Sequence, residues 1–109
     1  MSTVKIMIKK RNKPYYSKKQ ICRLVKDDCV HLTDQAFRSA HETFGWGLED
    51  IKKALMKLPL RCCYKSEPRF NDPEIWVDYY RVNDLLGERV YLHFYIESEK
   101  IIIDSLKEL

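Results

Sequence analysis

The chain has no apolar run approaching the roughly 20 residues that a membrane-crossing helix needs, which excludes a spanning helix of this sequence. It is poor in glycine, with three in 109 residues, and none builds the glycine-rich loop that cradles phosphates. Near its most distinctive segments there are no paired carboxylates and no cluster with metal-ligand spacing. Its four cysteines, Cys22, Cys29, Cys62 and Cys63, fit neither zinc-finger nor thioredoxin spacing, and the vicinal pair cannot bridge without a strained ring. All four are expected to be reduced and to act as small hydrophobes. Val4 to Ile8 is interrupted by Lys5, leaving no stretch long enough for a secretory signal, so the expected location is the cytoplasm. Repeats, linkers and low-complexity segments are also missing.

What is present suits one soluble domain spanning residues 1–109. Hydrophobic residues are 45% and charged residues 33% of the chain, enough for one core and too short for two. The net charge of +4 is unevenly spread. Residues 1–20 hold Lys5, Lys9, Lys10, Arg11, Lys13, Lys18 and Lys19 and no acid, while the remainder is slightly acidic. A basic arm of this kind suits a polyanion, because each neutralised phosphate releases counterions. It suits equally a terminal segment kept soluble by lysines. Residues 1–16 therefore read as a basic arm or an edge strand carrying Val4, Ile6 and Ile8.

From Ser17 onward the pattern sharpens. Ser17 and Gln20 make a capping box, with Tyr16 placed for a hydrophobic staple onto Ile21, and the stripe Ile21, Leu24, Val25 predicts a helix over 18–28. Thr33 caps a second helix, with Ala36, Phe37, Ala40 and Phe44 on one side and Gly45 as terminator. A third runs from Leu48 to Leu58, opened by Glu49 and Asp50, buried along Leu48, Ile51, Leu55 and Leu58, and stopped by Pro59. The period then changes to alternation, predicting strands over 60–65, 74–82, 89–96 and 100–106. Short turns at Gly87 and at Glu97-Ser98-Glu99 favour consecutive antiparallel pairing. The expected class is α+β, with three N-terminal helices packed on a mainly antiparallel sheet.

The chemistry-bearing residues lie on those strands. In the third strand Val90, Leu92, Phe94 and Ile96 share one face, and Tyr91, His93 and Tyr95 share the other. If helices cover only the apolar face, the other offers aromatic platforms and an imidazole to single-stranded RNA. Half-buried strand tyrosines with wet hydroxyls would give the same pattern. Metal-free RNA cleavage needs a base for the 2′-hydroxyl, cations for the charge developing on phosphorus, and help for the leaving 5′-oxygen. Lysine, arginine and tyrosine can fill these roles, and Lys65, Arg69 and Arg81 are the best-placed cations. Glu67, Asp72, Glu74 and Asp78 bring the 61–81 segment to zero net charge. His93, sharing a face with Tyr91, is a candidate acid or base. His31 and His41 read as surface or capping residues.

Tyr64-Lys65-Ser66, Ile75-Trp76-Val77-Asp78-Tyr79-Tyr80-Arg81 and Val90-Tyr91-Leu92, at this spacing, resemble the MqsR toxins of bacterial toxin–antitoxin pairs. The resemblance runs from about Ser17 to the C-terminus. It implies a RelE-like toxin fold and a sequence-selective mRNA endoribonuclease that blocks translation. It also implies a cognate antitoxin, usually a zinc-containing DNA-binding protein, and no cofactor for the toxin itself. Family active sites use a lysine, a glutamine and a tyrosine. The lysine matches Lys65, the tyrosine matches Tyr91, and a further family lysine aligns with Lys107. Val77 stands where the glutamine would be, and valine neither donates nor accepts a hydrogen bond. Either that role has moved, to His93 or Arg81, or activity or sequence preference has changed. The expected assignment is Lys65 as base or transition-state cation, Tyr91 orienting or protonating, Arg69 and Arg81 holding phosphate, and Tyr95 and Lys107 contacting RNA. The competing expectations are a noncatalytic RNA-binding or regulatory protein of the same fold, and a partner-binding module.

Overall fold

The computed structural model describes residues 10–109. The alternating piece Val4, Ile6, Ile8 lies outside them. Helix α1 spans Lys18–Lys26, and Ser17 accepts a hydrogen bond from the Gln20 N–H at its start. A three-residue strand β1, Val30–Leu32, leads into helix α2, Asp34–Phe44. Thr33 accepts from the Ala36 N–H, and Gly45 closes α2 with a left-handed φ of 72° that glycine adopts without strain. Helix α3 covers Leu48–Met56, and the Asp50 carboxylate accepts from the Gly47 N–H in front of it. Strands β2 (Cys63–Pro68), β3 (Trp76–Leu85), β4 (Glu88–Glu97) and β5 (Lys100–Glu108) complete the chain.

The sheet order is β1-β5-β4-β3-β2. Consecutive strands from β2 to β5 pair antiparallel, β3 to β5 across two-residue turns and β2 to β3 across the longer segment 69–75. Leu86 and Gly87 between β3 and β4, and Ser98 and Glu99 between β4 and β5, all have positive φ, the backbone of two-residue hairpins whose twist matches that of the strands.

The fifth strand is a departure from the expected four. β1 pairs parallel with β5, making the sheet mixed. Three residues, Val-His-Leu, are too few to display alternation, so the pattern left this segment unassigned. A second correction concerns Leu60–Cys62, expected to begin a strand, which forms a 3₁₀ turn after Pro59; β2 starts only at Cys63. Two helix positions also differ. Leu48, expected in a buried stripe, is 44% exposed in the open first turn of α3, and Phe37, expected on the same side of α2 as Ala36 and Ala40, is 45% exposed while those two alanines are buried.

One face of the sheet is sealed. Ile21, Leu24 and Val25 of α1, Ala36 and Ala40 of α2, and Ile51, Leu55 and Leu58 with α3 form a single core with Tyr80, Val82, Val90, Leu92, Phe94, Ile101, Ile103 and Leu106. Asp78, fully buried at the margin of this core, ties in the N-terminal segment. Its carboxylate accepts from the Tyr15 and Tyr16 N–H groups at 3.0–3.1 Å and from the Ser66 hydroxyl at 2.6 Å. Burial pushes this carboxyl above its usual range, opposed by those donors and by Arg11. Arg11 exchanges two backbone hydrogen bonds with Ser66, laying the arm along the outer edge of β2. Among the described residues no helix is long and apolar enough to cross a membrane.

Candidate active site

The face of the sheet away from the helices carries the residues that the sequence singled out, and two irregularities aim them. Between Cys63 and Lys65 the pairing of β2 with β3 shifts by one residue. Cys63 faces the core and Lys65 pairs with Tyr79, so the extra residue, Tyr64, turns to the same side as Lys65. In β5 a second shift leaves Asp104 as the extra residue, because His93 pairs with Ser105 and Phe94 with Ile103. Bulges of this kind re-aim side chains at the cost of one ladder position.

Cross-strand pairing then lines up two rows. Lys65, Tyr79, His93 and Ser105 form one; Arg81, Tyr91 and Lys107 form the other, with Tyr64 beside Arg81. The Lys65 ammonium lies 4.4 Å from the Tyr79 ring centroid and 3.6 Å from a Glu67 carboxylate oxygen. The Arg81 guanidinium stacks 3.8 Å from the Tyr64 ring centroid, and Lys107 lies 5.2 Å from that of Tyr91. The aromatic faces position Arg81 and Lys107 without neutralising them, whereas Lys65 also has the Glu67 carboxylate beside it.

At the centre the Tyr91 hydroxyl is 3.0 Å from His93 Nδ1, and His93 Nε2 is 3.9 Å from an Asp104 carboxylate oxygen. Burial raises the Tyr91 phenol above its ordinary value, with Tyr64 and Tyr79 adding and Arg81 opposing, so Tyr91 keeps its proton. The carboxylate beside Nε2 favours the tautomer with the proton on that atom, which leaves Nδ1 to accept from Tyr91. Burial lowers the His93 imidazole below its ordinary value; Asp104 opposes this, and Lys107 and Lys65 reinforce it. His93 is therefore a neutral imidazole at pH 7, able to take a proton, with an anion placed to receive the charge.

Two clefts meet at His93 and Asp104. One, of about 190 Å³, is lined by Arg69, Phe70, Asn71, Val77 and Tyr79; the other, of about 350 Å³, runs between α2 and β5. Lys65, Arg81, Tyr91, His93 and Lys107 thus share one patch, and Arg69, on the segment after β2, lines the smaller cleft that reaches it. Its guanidinium lies 4.3 Å from the Tyr95 ring centroid. Tyr95 is only 6% exposed, so the strand pattern misled in one respect: this ring is covered rather than an open stacking platform. His31 and His41 are exposed on β1 and α2, away from the patch. All four cysteines are free thiols. Among the described residues no group of three or more His, Cys, Asp or Glu side chains converges as a metal site.

Asp104, Tyr64 and Tyr79 were missed by sequence reasoning. A trace of the first exists: Ile101, Ile103 and Leu106 face the core, so the alternation slips by one at Asp104-Ser105. A family model described as "Motility quorum-sensing regulator, toxin of MqsA" matches residues 13–108. The chain belongs to the MqsR toxin family. As an MqsR-family member it is the toxin of a toxin–antitoxin pair, and its partner is the cognate antitoxin. The match includes Tyr15 and Tyr16, which hold the arm to Asp78. No curated protein matches the chain.

Proposed function

We propose that this toxin is an endoribonuclease that cleaves mRNA at short sequence motifs without a metal ion and so inhibits translation. The observation that carries this reading is the Tyr91–His93–Asp104 chain, with a 3.0 Å contact at its catalytic end, Arg81 across from Tyr91 on β3 and Lys65 beyond Tyr79 in the His93 row. In this scheme the Tyr91 oxygen accepts the 2′-hydroxyl proton while its own proton passes to His93 Nδ1, and Asp104 stabilises the imidazolium. The 2′-oxygen attacks phosphorus in line. Lys65 and Arg81 carry the charge on the non-bridging oxygens, and Lys65 supplies the proton of the leaving 5′-oxygen. The products are a 2′,3′-cyclic phosphate and a 5′-hydroxyl. Arg69 and Lys107 hold flanking phosphates, with Tyr95 supporting Arg69 from below.

The surroundings proposed with this activity are a single domain over residues 1–109, a RelE-like fold, the cytoplasm, and a zinc-containing DNA-binding antitoxin. A second reading has one observation in its favour. Val77 lines the smaller cleft where family members place a glutamine, so a noncatalytic RNA-binding protein of the same fold is the alternative. Incubating the purified chain with a defined mRNA in excess EDTA, beside Lys65→Ala, separates the two. Wild-type cleavage leaving cyclic phosphates, absent in a folded Lys65→Ala, supports the ribonuclease. RNA bound but intact supports the alternative, and neither binding nor cleavage leaves a partner-binding module.

A further inference from the structure

The larger cleft runs from the His93–Asp104 pair outward between α2 and β5, and the roles assigned above leave most of it unused. Gln35 and Ser39, one turn apart on α2, form one wall; Ser105 and Lys107 form the other. Among the described residues none of these four side chains makes a hydrogen bond or ion pair within the protein, although each is a donor and three are also acceptors. Its floor is apolar, because Ala36 and Leu106 belong to the core. A cleft of about 350 Å³ with an apolar floor, walls of uncommitted amide and hydroxyl groups and one cation at its rim has the make-up of a small-molecule site.

We infer that this cleft is a nucleobase pocket: it takes one unstacked base of the RNA substrate, reads the base edge with Gln35, Ser39 and Ser105, and sets the adjoining phosphate against Lys107 beside His93. The inference rests on the ribonuclease reading for its place in the reaction. Sequence-selective recognition of single-stranded RNA works by splaying a base out and pairing its edge with side chains, and the glutamine amide supplies a donor and an acceptor in one plane. A site that hydrogen-bonds an edge discriminates because the wrong base leaves polar groups unpaired; here Ser39 and Ser105 are half-buried and Gln35 is exposed at the mouth of the cleft. Selectivity would then reside in α2 and β5, on the opposite side of His93 from Val77.

Two measurements test this. A randomised oligoribonucleotide pool is cleaved by the wild type, by Gln35→Ala and by Ser39→Leu, which fills the cleft from its edge, and the new ends are sequenced. The expected result is a base preference at one position beside the cut that falls about tenfold or more in both variants, with the other positions keeping theirs. An unchanged preference in both folded variants overturns the pocket and leaves the ribonuclease reading standing. Separately, AMP, GMP, CMP, UMP and inorganic phosphate are titrated into the wild type while the Gln35 side-chain amide and Ser39 backbone amide are followed by NMR. Shifts selective for one nucleotide and lost in Ser39→Leu support the pocket even if no RNA is cut, in which case only the ribonuclease reading fails. Shifts equal for all five probes overturn the pocket.

Discussion

Tyr79 and Tyr80 are adjacent in sequence and opposite in circumstance. Tyr80 is wholly buried between the helices and the sheet, stacked on Phe94, with a hydroxyl that finds no partner among the described residues. Tyr79 faces the other way, under the Lys65 ammonium and against the His93 ring. The contrast extends to the two faces of the sheet. The helix-side face is filled by apolar side chains that fix the fold. The other keeps its polar groups in contact with one another, and two clefts open onto them. A residue on one face should therefore alter stability and one on the other activity, and the following experiments break or sharpen that division.

The largest expected effect is on catalysis. Lys65→Ala should slow cleavage about a hundred- to a thousandfold, the loss expected when one group stabilising developing charge is removed. Its unfolding curve in urea should stay near that of the wild type, because Lys65 is partly exposed and its polar contacts are one Glu67 carboxylate and the Tyr79 ring face. Next, on the sealed side, Asp78→Ala should destabilise by about 3 kcal/mol, since it leaves two backbone N–H groups and the Ser66 hydroxyl without an acceptor. Urea denaturation measures this, and a loss under about 1 kcal/mol would mean that water replaces the carboxylate.

A subtler effect is expected in the pH dependence. Because His93 is lowered in the folded state, the unfolded state binds more protons as pH falls through about 6.5, so stability should decline there. In the proposed scheme the neutral imidazole takes the proton, so the acid limb of kcat/KM should lie below that value. Asp104→Asn removes the anion that raises His93 and should shift the limb further down; Lys107→Ala removes a cation and should shift it up. A limb that moves in neither variant would detach His93 from the reaction. The smallest expected effect belongs to Tyr80→Phe. Deleting an unpartnered buried hydroxyl should leave stability within about 1 kcal/mol of the wild type or slightly above it, read from the urea midpoint.

The sealed face was far more legible in the sequence than the working one. Caps at Ser17 and Thr33, the terminator Gly45 and the alternation after Pro59 announce elements through local rules that the tertiary structure obeys. β1 escaped because its parallel partner β5 lies some 70 residues away in sequence and a three-residue strand carries no period. The site followed a similar course. Lys65, Tyr91 and His93 could be named from motif and strand face, yet their grouping depends on two bulges that shift the register. Asp104 meets His93 only because of the second bulge, and propensity does not report where a strand takes an extra residue. Tyr95 looked equivalent to Tyr91 by alternation, and only the fold of the segment after β2 brings Arg69 over it.

The most direct test compares two deletions of a single oxygen atom, one on each face. Single-turnover cleavage of one defined RNA in excess EDTA should fall about a hundredfold or more in Tyr91→Phe and remain at the wild-type rate in Tyr80→Phe, with both proteins folded. Equal rates in the two variants would contradict the assignment of the open face, and of Tyr91 in particular, as the place where RNA is cut.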